Sequence, residues 1–183
     1  MNYANIIYTD VANGIGCRTS LFVSGCTHHC KGCFNKVTWD FAYGDNFTKE
    51  VKDEIINSLR PSYINGLTIL GGEPMEVINQ KSLAPFISRV KKELPNKTIW
   101  LYSGYTWEEL NNKENKRCHS ADTSVILNNI DILVDGEFVE DKKDLTLRFR
   151  GSSNQRVIDV HKTIESGAVI LSDYNDKDNS RVA

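Results

Sequence analysis

Three cysteines within eight residues constrain this chain more than any other feature. The segment Cys26-Thr-His-His-Cys30-Lys-Gly-Cys33 has the spacing Cys-x3-Cys-x2-Cys and follows an apolar run, residues 21–23, that is typical of a buried strand. Three thiolates in one short loop can converge on one metal centre. A [4Fe–4S] cluster usually takes four cysteine ligands. A site built on these three therefore leaves one iron open, where a substrate can bind.

Two other interpretations of the cysteine loop stay open on spacing alone. A structural zinc site takes four protein ligands, and His28 or His29 could complete a Cys3His set, although both lie inside the tight first half of the loop. The alternative without a metal is three unrelated buried thiols. It is the less favoured one, because a cluster of cysteines beside Gly25 and Gly32 fills a hydrophobic core poorly.

The five cysteines of the chain also indicate the compartment. An odd number, with no opening segment of basic and then apolar residues, argues against a disulfide framework and for a reducing, cytoplasmic setting. Cys17 and Cys118 are expected to be structural or incidental thiols, the latter within a polar insertion at 111–123. No run of about 18 apolar residues predicts a membrane helix. The net charge of −2 gives no reason to expect nucleic acid binding.

The hydrophobic pattern predicts an α/β fold with parallel strands. Val51, Ile55 and Leu59 recur at helical spacing, a second amphipathic helix runs up to Pro95, and Thr106 begins a capping box for a third. Strand-length apolar runs lie between them, at 21–23, 67–70, 99–102, 130–134 and 168–171. A length of 183 residues favours one domain and falls short of the roughly 250 of a complete (β/α)8 barrel.

A second motif follows the next predicted strand. Gly71-Gly72-Glu73-Pro74 combines two glycines, which let the backbone approach a ligand closely, with a carboxylate that can accept bonds from an ammonium group. Together with the cysteine loop, it resembles the signature of radical S-adenosylmethionine enzymes. The resemblance implies that Cys26, Cys30 and Cys33 are catalytic and hold a [4Fe–4S] cluster. It also implies that Gly71, Gly72 and Glu73 contact the amino group of S-adenosylmethionine.

Finer segments are similar to one branch of these enzymes, the activating proteins of anaerobic ribonucleoside-triphosphate reductase. The similarity covers residues 1 to about 159. The matching segments begin at Asn13, Leu21, Gly32, Thr38, Trp100, Val134 and Arg150. This branch has a glycine where many relatives place an aromatic residue before the third cysteine. We therefore expect the backbone of Gly32, Cys33 and Phe34 to contact the adenine.

The resemblance and the length together imply a partial, open (β/α) barrel of the radical SAM type, smaller than a full TIM barrel. We expect a single domain over 1–172 and a flexible tail over 173–183. The gap in such a barrel suits a protein substrate. Arg148, Arg150 and Arg156 are either docking or anion-binding groups or solvated surface charges, and Asp135 and Asn154 are candidates for supporting the site.

The implied activity is the reductive cleavage of S-adenosylmethionine, with the 5′-deoxyadenosyl radical generating a glycyl radical on the reductase. The implied partners are that reductase and a flavodoxin-like electron donor. Two alternatives remain. One is a radical S-adenosylmethionine enzyme that acts on a small molecule, similar to the 7-carboxy-7-deazaguanine synthases. The other is a non-enzymatic metal-binding module.

Overall fold

The strands form one sheet with a parallel centre. The computed structural model describes residues 1–175, and within them the sheet has seven strands in the order β3-β1-β2-β4-β5-β6-β7. Neighbours among β2, β4, β5 and β6 are parallel, whereas β1 and β7 pair antiparallel with β2 and β6. The strands are β1 (Asn2–Asp10), β2 (Cys17–Val23), β3 (Asp45–Asn46), β4 (Ile64–Gly71), β5 (Thr98–Tyr102), β6 (Ile132–Asp135) and β7 (Arg156–Asp159).

Helices lie in the connections between the parallel strands, since each parallel pair needs a crossover connection. They are α1 (Lys49–Leu59), α2 (Val77–Glu93), α3 (Trp107–Asn111) and α4 (Ala121–Leu127), while α5 (Val160–Ser166) follows β7. The three predicted helices are present, and Thr106 forms the predicted capping box with Glu109. No helix within residues 1–175 is both long enough and apolar enough to cross a membrane. The parallel strands and the helices between them confirm the prediction of an α/β fold.

The main core lies between the sheet and the helices. Leu21, Leu67 and Leu101 are fully buried there, and Leu83 and Ile87 of α2 pack with them. Alternate residues point to the other face of the sheet, where Trp100 packs with neighbours on β6 and β7. Both faces of the central strands are covered, which explains why these strands read as continuous apolar runs.

Two predictions about the strands were incomplete or wrong. The run at 168–171 is not a strand, because it makes only one β-bridge, from Leu171 to Ile158, after Gly167 ends α5 in a left-handed conformation. The strand in that region is β7. The antiparallel strands β1 and β7 were not predicted, since their sequences mix polar and apolar residues.

The last described residues, Asp173–Asn175, form a short 3-10 helix. The ring of Tyr174 lies 5.5 Å from that of Trp100, and the side chain of Asn175 accepts the backbone N–H of Val157 at 2.9 Å. Tyr174 and Asn175 of the predicted tail therefore pack against the sheet. Its remainder, 176–183, lies outside the described residues, and the single domain over 1–172 stays a prediction.

Candidate functional site

The cysteine loop begins where β2 ends. The backbone N–H of Gly25 donates to the carbonyl of Thr38 at 2.8 Å, and that of Cys26 donates to Trp39 at 3.2 Å. These bonds close the base of the loop against the 3-10 turn Lys36–Trp39. Gly25 has a φ of +96°, and a Cβ there would lie 2.1 Å from the ring of Phe41. Only glycine fits at this turn.

The three predicted ligands lie in this one loop. Cys26 is buried, whereas Cys30 and Cys33 are half-buried. Gly32, with a φ of +75°, turns the chain between them, and the backbone N–H of Cys33 donates to the carbonyl of Cys30 at 3.2 Å. The backbone N–H of Asn35 points to the sulfur of Cys33 at 3.4 Å. All five cysteines of the chain are free thiols.

Two of the loop thiols are difficult to ionise in the absence of a metal. Burial raises the pKa of Cys26 to about 11, and the nearby carboxylates of Glu73 and Glu76 add to the effect. Burial also raises the pKa of Cys30 to about 12, with Glu137 contributing. A metal centre must therefore displace protons from these sulfurs on binding.

The residues of the loop fit a thiolate-bound cluster in their chemistry. Within residues 1–175, no group of three or more His, Cys, Asp or Glu side chains is arranged to hold a metal ion. The donor set is nevertheless three thiols of one anchored loop. Around it, Ser24 Oγ, Trp39 Nε1 and Asn79 Oδ1 are buried and without a hydrogen-bond partner among the described residues. These buried polar atoms can form hydrogen bonds that the described residues do not supply.

The Gly-Gly-Glu segment packs directly against the base of the cysteine loop. The backbone N–H of Gly72 donates to Val23 at 2.8 Å, and that of Glu73 donates to Gly25 at 2.8 Å. A Cβ on Gly72 would lie 2.6 Å from the carbonyl oxygen of Gly25. The two glycines therefore allow the ends of β2 and β4 to meet. The structure brings the two predicted motifs together at the carboxyl ends of adjacent parallel strands, the usual place for a site in α/β folds.

The carboxylate of Glu73 is buried and has protein partners on both oxygens. Its Oε1 accepts the backbone N–H of Met75 and the hydroxyl of Ser103, each at 2.8 Å. Its Oε2 accepts the backbone N–H of Gly104 at 2.6 Å and lies 3.1 Å from Nε2 of His28. Glu73 is only 1% exposed. Its contact with the amino group of S-adenosylmethionine stays a prediction.

Sequence reasoning missed two anchors of the cysteine loop. Thr27 donates to Oε1 of Glu76 from its backbone at 2.8 Å and from its hydroxyl at 2.5 Å. His28 contacts Glu73, and although burial disfavours its charged form, the Glu73 carboxylate outweighs burial, so the pKa of His28 is raised. The available signal was the position of His28 between two predicted ligands. His29, by contrast, is exposed and stacks on Trp39.

The segment predicted to contact adenine lies at the surface. Phe34 is 89% exposed. Beside it is a cavity of about 310 Å³ whose walls include Phe22, Asn35, Val37 and Tyr43. The structure thus places an open, partly apolar depression next to the third cysteine, where a ligand or a partner can enter.

Of the three arginines predicted to be either docking groups or solvated surface charges, Arg156 and Arg148 contact other side chains of the fold. Arg156 bonds to the buried carboxylate of Asp135 through Nε at 3.0 Å and Nη2 at 2.5 Å, and it also pairs with Glu108. Arg148 lies over the rings of Phe149 and Tyr174. Asp135 therefore holds Arg156 at the end of β6, and Arg156 is not a free anion-binding group.

Comparisons with known proteins agree on the character of this region. A family model described as a 4Fe-4S single cluster domain matches residues 12–158. A protein of Haemophilus influenzae is 43% identical over 157 residues, covering 85% of this chain and 96% of its own length. A protein of Escherichia coli K12 is 42% identical over 159 residues, covering 86% of this chain and 97% of its own length. A protein of enterobacteria phage T4 is 38% identical over 157 residues, covering 86% of this chain and 93% of its own length. All three relatives are named anaerobic ribonucleoside-triphosphate reductase-activating protein.

Proposed function

Because the chain belongs to the family of anaerobic ribonucleoside-triphosphate reductase-activating proteins, we propose that it is the enzyme that generates a glycyl radical on such a reductase. The single observation that carries this proposal is the contact between the cysteine loop and the Gly-Gly-Glu segment at the carboxyl ends of β2 and β4. The names of the relatives favour a protein target over the small-molecule alternative and over a non-enzymatic metal-binding module.

We propose Cys26, Cys30 and Cys33 as the ligands of a [4Fe–4S] cluster. When bound, that cluster supplies one electron to the sulfonium of S-adenosylmethionine, which gives methionine and a 5′-deoxyadenosyl radical. The chain contributes an anchored loop whose three thiols would hold the cluster and would leave one iron without a protein ligand, and the cofactor would carry the difficult chemistry.

Two backbone segments of the chain are proposed to hold S-adenosylmethionine. Gly71, Gly72 and Glu73 lie beside the base of the cysteine loop, and we assign them to its amino group. Gly32, Cys33 and Phe34 continue from the cluster ligands toward the surface cavity, and we assign their backbone to the adenine. Both segments orient the cofactor and help to exclude water from a reactive radical.

The target is proposed to be the anaerobic ribonucleoside-triphosphate reductase, and the electron donor a flavodoxin-like protein. We propose that the sheet curves as a partial, open barrel of the radical SAM type, because it has four parallel strands rather than eight within residues 1–175. An open side admits a glycine-bearing loop of the reductase. The proposed compartment is the cytoplasm, since free thiols persist in a reducing setting.

The test is to mix the anaerobically reconstituted, reduced protein with S-adenosylmethionine and a reductase of this class. Electron paramagnetic resonance should show a glycyl radical on the reductase, together with 5′-deoxyadenosine in the solution. The matched control is the Cys26→Ala variant, which should give neither product. Formation of 5′-deoxyadenosine without a radical on a competent reductase would favour a small-molecule substrate. A colourless protein with stoichiometric zinc would overturn the cluster itself.

A further inference from the structure

We propose that His28 is a positioning residue, which docks the cysteine loop onto the ends of β4 and β5 through Glu73. The proposal rests on the proposed function in one respect, namely that the loop carries the cluster ligands. His28 lies between two of these, Cys26 and Cys30, so a contact that fixes its side chain also fixes the path of the loop between them.

The side chain of His28 is enclosed by the protein. It is 8% exposed, and its ring lies 4.3 Å from that of Tyr105. A Cβ on Gly104 would approach Nε2 of His28 to 2.6 Å. The ring therefore occupies a slot that exists only because residue 104 is glycine. Such a fit is unusual for a loop histidine, which is ordinarily half-exposed.

Glu73 provides a fixed acceptor at the end of this slot. Its carboxylate joins the segment after β4, through Met75, to the segment after β5, through Ser103 and Gly104. Three bonds hold the two oxygens in place, so Glu73 cannot follow a moving loop. A contact from His28 to this carboxylate consequently links the cysteine loop to two strands of the sheet at once.

The acceptor in this contact is a carboxylate that needs donors around it. A buried carboxylate is costly unless a cation or several donors stabilise it. Among residues 1–175, His28 is the one basic side chain within 4 Å of the Glu73 carboxylate. Its Nε2 lies 3.1 Å from Oε2, although the ring is not directed at that oxygen as a well-aligned hydrogen bond requires. Small movements of the loop can therefore improve the contact without disturbing Glu73.

The loop has a second anchor, so the fold does not depend on His28 alone. Thr27 bonds twice to Glu76 at the start of α2. Loss of the His28 contact should therefore release the segment from His28 to Cys33 and leave the sheet intact. The neighbouring His29 provides a matched control. It belongs to the same loop, is exposed and has a φ of +53°, a conformation that asparagine tolerates.

The experiment compares His28→Leu, His28→Gln and His29→Asn in the full chain. Hydrogen–deuterium exchange of the loop amides is measured without iron, and iron content and the resonance spectrum of the reduced cluster are measured after anaerobic reconstitution. In His28→Leu we expect loop exchange to rise about tenfold, as for the loss of one polar contact, with altered g values. The amide of Gln reaches toward Glu73, so His28→Gln should restore both readouts, and His29→Asn should change neither.

The outcomes separate this proposal from the proposed function. If His28→Leu matches the wild type in loop exchange and in g values, or if His28→Gln behaves like His28→Leu, the ring only fills space and the proposal is wrong. If His28→Leu does not fold, His28→Gln is compared with the wild type. Wild-type loop exchange and g values then support the proposal, and faster exchange or altered g values overturn it. Adding Glu73→Gln to His28→Leu should give less than the product of the single effects. A wild-type chain that binds no cluster would reject the proposed function instead, while the exchange measurements would still decide the role of His28.

Discussion

Nε of Arg18 donates to Oγ1 of Thr68 at 2.7 Å, so a buried guanidinium joins β2 to β4. Its Nη1 and Nη2 donate to four further neutral oxygens, two of them on Thr98 of β5. Arg18 is 1% exposed, and burial lowers its pKa to about 10. No carboxylate within residues 1–175 pairs with it in a salt bridge. Hydrogen bonds to neutral oxygens, together with the ring of Trp100 at 5.4 Å from the guanidinium carbon, therefore stabilise this charge.

We predict that Arg18→Lys destabilises the cluster-free protein by about 2 kcal/mol, because an ammonium has three donors where the guanidinium has five. Urea unfolding at neutral pH measures the difference. The exposed Arg60, at the end of α1, provides the control, and Arg60→Lys should stay within about 0.5 kcal/mol of the wild type. Equal effects of the two changes would contradict this account of Arg18.

The sequence predicted the location of the candidate site but not its internal contacts. The cysteine loop and the Gly-Gly-Glu segment each follow an apolar run, and parallel strands bring their carboxyl ends to the same edge. That adjacency follows from local pattern and topology alone. The contact of His28 with Glu73 joins residues 45 positions apart, and it depends on the register of β2, β4 and β5. No local pattern contains that register.

The same distinction applies to the fold. The central strands were predicted because burial on both faces makes them continuously apolar. β1 and β7, which lie outside the parallel centre of the sheet, were missed because their sequences mix polar and apolar residues, as in Asn2–Asp10. Arg18 shows the remaining limit. A charged residue in a strand is ordinarily predicted to be exposed. The Thr68 and Thr98 side chains that accept hydrogen bonds from Arg18 lie 50 and 80 residues further along the chain.

Asp10 makes stability depend on pH in the acid range. Burial disfavours its charged form, but hydrogen bonds from Ser20, Ala12 and Asn13 outweigh this, so the pKa of Asp10 is lowered. The stabilisation is therefore complete above the unfolded-state pKa, about 4, and is lost as the pH falls through the lower folded-state value. The free energy of unfolding of Asp10→Asn should be about 1 kcal/mol lower than that of the wild type at neutral pH. On acidification it should fall by less than that of the wild type.

Urea unfolding of the cluster-free protein at neutral pH and below about pH 4 measures this difference. The exposed Asp141 gives the matched control, since Asp141→Asn should unfold like the wild type at both values. A wild type and an Asp10→Asn variant that lose stability in parallel on acidification would show that Asp10 is not the group responsible.

The ion pairs of Arg156 should differ in strength. Asp135 is 1% exposed and also accepts the backbone N–H of Trp107 at 2.7 Å, whereas the side chain of Glu108 is 59% exposed. We predict that Asp135→Ala costs about 3 kcal/mol in the free energy of unfolding, because it removes the buried carboxylate partner of Arg156 and the acceptor of the partly buried Trp107 N–H. Glu108→Ala should cost less than about 1 kcal/mol. Similar urea midpoints for the two variants would contradict the assignment.

Phe34 tests whether the exposed surface beside the third cysteine serves binding. Its side chain is 89% exposed, so Phe34→Ser should change the free energy of unfolding by no more than about 0.5 kcal/mol. Under the proposed function, the same change should raise the KM for the reductase or for S-adenosylmethionine, measured by 5′-deoxyadenosine release. An unchanged KM for both would leave Phe34 as an incidental surface residue. The exposed Tyr63→Ser, after α1, is the control for surface polarity alone.

The division of the five cysteines gives the most direct test of the proposed cluster. Replacing Cys26, Cys30 or Cys33 by Ala should abolish iron and sulfide binding after anaerobic reconstitution, because each removes one of three ligands. Cys17→Ala and Cys118→Ala should retain the full cluster.

Cys118 is the informative member of the control pair. It is fully buried in the main core, and its sulfur donates to the carbonyl of Glu109 at 3.5 Å, so the structure gives it a packing role. Cys118→Ala should therefore cost about 1 kcal/mol of stability through a small cavity while iron content and the resonance spectrum stay unchanged. If Cys118→Ala folds and yet loses the cluster, three cysteines do not suffice, the cluster has no open iron, and the proposed site for S-adenosylmethionine is wrong.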